Sequence, residues 1–116
     1  MNVGELLDQL EECNEEATVN CIMQSENDAS FYHTIAIGTE TGAQVVNIIL
    51  MNIMGEGISV KELKNELNAY EATLPVSVRI NRLNPIQFPY EVNGILNRGD
   101  IAYLELPQLI GNLYEE

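Results

Sequence analysis

The chain has 116 residues and a net charge of −13, set by 18 acids against five bases, with 46% apolar residues. Its length bounds one domain or two very small units sharing a core, and apolar residues spread along the whole chain exclude a disordered acidic tail. Residues 1–57 hold ten acids and no Lys or Arg, whereas residues 58–116 hold eight acids and all five bases, so the halves carry −10 and −3. A field of this sign repels nucleic acid and anionic membranes and attracts basic partners.

Val3, Leu6, Leu7, Leu10 and Cys13 recur at helical spacing, and Asn2 with Glu5 three residues later forms a capping signal. The stretch TVNCIMQ at 18–24 alternates with a period of two, with Val19, Cys21 and Met23 inward and Asn20 outward. After the polar loop SENDAS come an aromatic-led strand, FYHTIAI at 31–37, a turn at Thr41-Gly42, and a third strand, QVVNIILM at 44–51. The apolar-rich run at 45–54 is far too short to span a membrane as a helix, and a cytoplasmic protein is expected.

The linker Gly55-Glu56-Gly57 leads into a second passage of the same kind. Ser59 and Glu62 form a capping box, and Val60, Leu63, Leu67 and Tyr70 follow at helical spacing. Strands are predicted at 75–81 (PVSVRIN), 88–95 (FPYEVNGI) and 101–107 (IAYLELP), with the loop RLNPIQ and a turn at Arg98-Gly99-Asp100 between them. The tail places Leu109, Ile110, Leu113 and Tyr114 at the spacing of a short docking helix.

Setting each residue against the one 57 positions on matches Val3 with Val60, Glu5 with Glu62, Leu6 with Leu63, Leu10 with Leu67 and Val19 with Val76. The same offset pairs Phe31 with Phe88 and Gly42 with Gly99. Two copies at so long a period indicate a duplication rather than a solenoid. The predicted fold is α+β: a tandem duplicated αβββ unit, residues 1–54 and 58–107, with a tail at 108–116. An antiparallel sheet with helices on one face and a pseudo-two-fold relation between the copies are expected, packed as one compact domain. The other arrangement weighed is two loosely packed beads.

Chemistry-bearing motifs are sparse. His33, the one histidine, sits in no catalytic motif. Cys13 and Cys21 lack metal-ligand spacing and occupy apolar positions, so buried free thiols are expected. No glycine loop has phosphate-cradling spacing, and SENDAS lacks the positions of a calcium loop. No metal, cofactor or catalytic residue is predicted. The acids Glu11, Glu12, Glu15 and Glu16 form a solvated face and exit of the first helix, and Asp8, Glu12, Glu15 and Glu16 oppose its macrodipole. Glu11, Glu12, Glu15 and Glu16, together with Glu26 and Asp28, form the predicted protein-binding surface. Arg79, Arg82 and Arg98 form a candidate anion-binding set on the second unit.

The opening Val3-x-Glu5-Leu6-Leu7, then Leu10 and Ala17-x-Val19, resembles the start of many small phage and prophage proteins, which begin with a short helix and then a strand. The resemblance covers residues 1–24 and, in the second copy, 58–81. It departs from the commoner pattern in the first turn, where Asn14-Glu15-Glu16-Ala17 stand without the usual proline; the second copy keeps Pro75. In size and charge the chain is similar to the anti-restriction and anti-CRISPR inhibitors of such elements, some of which occupy basic nucleic-acid clefts. The expected function is therefore a non-enzymatic acidic interaction module, an inhibitor binding the basic surface of a nucleic-acid-handling host defence protein. Two other readings are carried: a self-assembling homo-oligomer pairing through sheet edges and the apolar strand 44–51, and a small anionic-ligand binder using the three arginines.

Overall fold

A computed structural model of the chain describes residues 1–24, 31–42, 44–51, 53, 55–80 and 90–106. The predicted loops SENDAS and RLNPIQ, and the tail helix, lie outside the described residues. In chain order the elements are α1 (Val3–Leu10), β1 (Thr18–Gln24), β2 (Phe31–Gly42), β3 (Val45–Met51), α2 (Val60–Leu67), β4 (Val76–Ile80), β5 (Tyr90–Glu91), β6 (Gly94–Asn97) and β7 (Ile101–Glu105).

Both helices start where the sequence places their caps. Asn2 Oδ1 accepts from the Glu5 N–H while the Glu5 carboxylate accepts from the Asn2 N–H, and Ser59 with Glu62 repeats the same reciprocal box. Each helix is short, and helices of this length persist through packing rather than propensity. Val3, Leu6 and Leu10 of α1, and Val60, Leu63 and Leu67 of α2, are fully buried in one core cluster. The inward residues of the strands complete that cluster: Val19 and Cys21, Val46, Ile48 and Leu50, Val76 and Val78, and Ala102 and Leu104.

The sheet runs β5-β4-β3-β2-β1-β7-β6 and is mixed. Within each half the neighbours are antiparallel, but β3 pairs with β4 in parallel and β1 pairs with β7 in parallel. This corrects the expected antiparallel sheet. Parallel neighbours need a crossover of about a dozen residues or more. Residues 52–75, which contain α2, supply it between β3 and β4. The hairpin signals report pairing inside each half and carry no information about the seams.

The two ends of the sheet belong to one run of chain. β5 pairs with β4, and the Val92 N–H still donates to the Val76 carbonyl at 3.5 Å. One residue later the Asn93 N–H donates to the Glu105 carbonyl at 2.8 Å, and β6 continues against β7. The sheet therefore curls until its ends meet, which leaves few unpaired strand edges among the described residues to recruit a second chain. β3, named as an assembly strand from its apolar sequence, is paired on both sides by β2 and β4.

Crossed hydrogen bonds tie the two helix starts to the opposite halves. The Val3 N–H donates to the Leu74 carbonyl (2.9 Å), and 57 positions on the Val60 N–H donates to the Ala17 carbonyl (2.8 Å). Gly4 to Ala72 is matched by Lys61 to Glu15, each at 3.0 Å, and Val76 to Met1 by Val19 to Ile58. The halves thus share one sheet and one core rather than forming separate beads. In the third strands the buried residues fall 56 apart, Val46, Ile48 and Leu50 against Ala102, Leu104 and Leu106. No helix among the described residues is long and apolar enough to cross a membrane.

Candidate functional site

The first helix ends in acid. Its C-cap is Glu11, its last turn contains no base, and Glu11, Glu12, Glu15 and Glu16 are all exposed around the turns that lead to β1. Those turns are held by the Cys13 N–H on the Leu10 carbonyl, the Ala17 N–H on the Asn14 carbonyl, and the Glu16 N–H on Asn14 Oδ1. Carboxylates at a helix C-terminus oppose its dipole, so acid here costs the fold wherever no base answers it.

Lys64 answers part of that charge from α2. Its ammonium lies 2.9 Å from Glu11 and 3.6 Å from Glu15, and the hydrogen bond with Glu11 pushes its pKa up. Two of the predicted contact acids are therefore engaged inside the molecule. Glu12 and Glu16 have no basic partner among the described residues. Glu26 and Asp28 lie outside the described residues.

Glu16 opens onto a cleft of about 490 Å³ at the seam of the two halves. One wall is the turn Asn14–Glu16, the second is the linker at Gly55 and Glu56, and the third is Asp100 and Ile101 at the start of β7. Thr18 and Asn20 of β1 form the floor. Backbone hydrogen bonds bring these pieces together: Thr18 N–H to the Asp100 carbonyl at 3.0 Å, and Val19 N–H to the Ile58 carbonyl at 2.9 Å. The β6–β7 hairpin is tied to α1 by the Ile95 N–H on Gln9 Oε1 (2.7 Å) and by Asn97 Nδ2 on the Glu12 carbonyl (3.2 Å). The linker can lie so close because residue 57 has no side chain. A Cβ there would stand 2.7 Å from the Val19 carbonyl oxygen and 2.8 Å from that of Ala36.

The floor carries an unsatisfied acceptor. Asn20 is only 9% exposed, and its Oδ1 is buried without a hydrogen-bond partner. Asn47 Oδ1 and Arg79 Nε are also buried and unpartnered, but neither residue lines the cleft. Among the described residues no three His, Cys, Asp or Glu side chains converge as a metal site would require. The three carboxylates ring the cleft without focusing on a point.

The remaining predicted residues are scattered. Arg79 is paired with Glu40 across the sheet. Arg98 is exposed at the β6–β7 turn, after the chain has left β4 for β7. Arg82 lies outside the described residues. Arg79 and Arg98 thus stand on different strand pairs, with Arg79 engaged by Glu40. His33 is exposed and stands edge-on to Tyr103 at 6.4 Å. Cys13 and Cys21 are buried free thiols. Burial pushes the Cys21 thiol up to about 12, and burial followed by the charge of Glu12 raises that of Cys13.

Sequence reasoning named Glu16 but missed Glu56, Asp100 and Asn20. Each carried a local signal: an acid between two glycines, an acid after a tight turn, and a polar residue on the outward side of a strand. Nothing local says that the three meet. Comparison with protein-family models, with curated proteins and with solved structures finds no match to this chain.

Proposed function

We propose that this chain is a non-enzymatic interaction module whose acidic exit from α1 engages a basic protein surface, as an inhibitor from a mobile element would engage a nucleic-acid-handling defence protein. The observation that carries the reading is the concentration of exposed acid at one place: Glu11, Glu12, Glu15 and Glu16 lie beside a cleft lined by Glu56 and Asp100 and, among the described residues, by no base. Because Glu12 and Glu16 oppose the dipole of α1 and have no basic partner among the described residues, their presence is explained better by a partner than by folding. The same field speeds encounter with a cationic surface and weakens as salt screens it. The two halves are, in this reading, copies of one αβββ unit related by a pseudo-two-fold axis. The crossed hydrogen bonds at positions 57 apart support it.

Affinity capture from a bacterial lysate tests the reading, with the native chain and a variant carrying Glu11, Glu12, Glu15 and Glu16 changed to Lys as parallel baits. A basic nucleic-acid-handling protein should be retained by the native bait alone and released by moderate salt. Equal retention by both baits, or recovery of the bait alone, contradicts it.

A further inference from the structure

We propose that the seam cleft receives one arginine side chain from the basic partner, with Asn20 Oδ1 on its floor and Glu16, Glu56 and Asp100 at its mouth. This rests on the acidic-surface reading and narrows it to a single socket. Val19 and Cys21 face the core, so Thr18 and Asn20, alternating with them along β1, face the cleft. Asn20 is nine-tenths buried and its carbonyl oxygen lacks a donor. A buried acceptor left unpaired is costly, and rotation of the Asn20 amide toward the cleft would bring its oxygen to an N–H of a ligand there and restore the missing bond.

The lining selects the kind of donor. Beside the amides of Asn14 and Asn20 and the Thr18 hydroxyl, three carboxylates dominate the charge of the lining, which favours a cation rich in N–H groups. A bare metal ion needs ligands that converge within about 2.0–2.6 Å, and no such cluster exists among the described residues. A lysine ammonium presents its donors from one point, whereas these acceptors stand on β1, on the linker and on the β7 turn. A guanidinium spreads five donors over a planar fork and is weakly hydrated, which suits Ile101 as an apolar wall. The volume of about 490 Å³ admits a long side chain with water around it.

The test uses backbone amide NMR of the full chain titrated with N-acetyl-arginine N-methylamide, with the lysine analogue, and with calcium chloride, all at constant ionic strength. The arginine probe should give saturable shifts at Thr18, Asn20, Glu56 and Asp100, with a dissociation constant on the order of 1 mM. Asn20→Val should weaken it about tenfold without lowering the melting temperature, because it removes an unpaired polar atom from a buried site. Asp8→Asn, remote from the lining, should change it less than twofold. Shifts spread over every acidic face and indifferent to Asn20→Val overturn the socket, as does saturation by calcium at the same amides. If the captured basic protein binds native and Asn20→Val chains equally, the socket fails while the acidic-surface reading stands. Cleft binding of the arginine probe without capture of any basic protein refutes the partner as its source.

Discussion

The two helix exits, residues 11–18 after α1 and 68–75 after α2, do the same mechanical work with different surfaces. The Glu15 carbonyl accepts from Lys61, and the Ala72 carbonyl accepts from Gly4, both at 3.0 Å. Ala17 and Leu74 serve Val60 and Val3 in the same way. Yet where the first exit has Glu11, Glu12, Glu15 and Glu16, the second has Asn68, Ala69, Ala72 and Thr73. At those four positions the backbone turn has no need of acid. The second exit makes the same hydrogen bonds with one acid, Glu71, which stands where the first has Asn14, so the unpaired charge of Glu12 and Glu16 belongs to the surface and not to the fold.

That contrast can be broken first at the linker, which walls only the acidic exit. Gly57→Ala should be the most damaging small substitution, because its Cβ meets backbone oxygens that cannot move independently. A loss of about 3 kcal/mol in urea unfolding is expected. Mechanical equivalence is tested next by Leu10→Ala and Leu67→Ala, both at fully buried positions 57 apart. Each should cost about 2–5 kcal/mol, and the two should agree within about 1 kcal/mol. A larger disparity would show that the exits are not equivalent supports.

Cys21 and Val78 form another such pair, both fully buried. Because burial lifts the Cys21 thiol from 9.0 to about 12, the unfolded chain loses this proton before the folded one does. The folded state then binds more protons across that window, and stability falls as pH rises from about 9 to about 12. Cys21 should contribute a slope on the order of 1 kcal/mol per pH unit. The slope should therefore become shallower in Cys21→Val, with the remainder from the raised Cys13 and Lys64, as followed by urea midpoints at several alkaline pH values. The smallest effect is expected when two acids of the first exit are exchanged for their counterparts in the second, Ala69 and Thr73. Glu12→Ala with Glu16→Thr should shift stability by no more than about 0.5 kcal/mol, toward greater stability, since both carboxylates stand beyond a helix C-terminus.

What the sequence made legible was local. Helix starts follow from Asn2 with Glu5 and Ser59 with Glu62, and the strands at 18–24 and 76–80 from strict alternation, because caps and side-chain periods act over a few residues. The offset of 57 was visible for the same reason. The parallel seams were not, since the partner of a strand edge leaves no mark on that strand's own pattern. The cleft was only partly legible: Glu16, Glu56 and Asp100 come from distant stretches and meet only when β7 lies beside β1 and the linker crosses at Gly57. Nor could the sequence show that Glu11 and Glu15 are occupied by Lys64, which shifts the free charge toward Glu12, Glu16 and the cleft.

One comparison bears most directly on the claim that position, not total charge, makes this surface a binding site. Two variants raise the net charge of −13 by the same four units. The first carries Glu12→Gln, Glu16→Gln, Glu56→Gln and Asp100→Asn; the second carries Asp8→Asn, Glu71→Gln, Glu91→Gln and Glu105→Gln. Their affinities for a short arginine-rich peptide are measured by calorimetry at one salt concentration. The first variant should lose binding by tenfold or more while the second stays within about threefold of the native chain. Equal losses in the two would mean that the peptide reads net charge alone, and the acidic exit would have no special part in recognition.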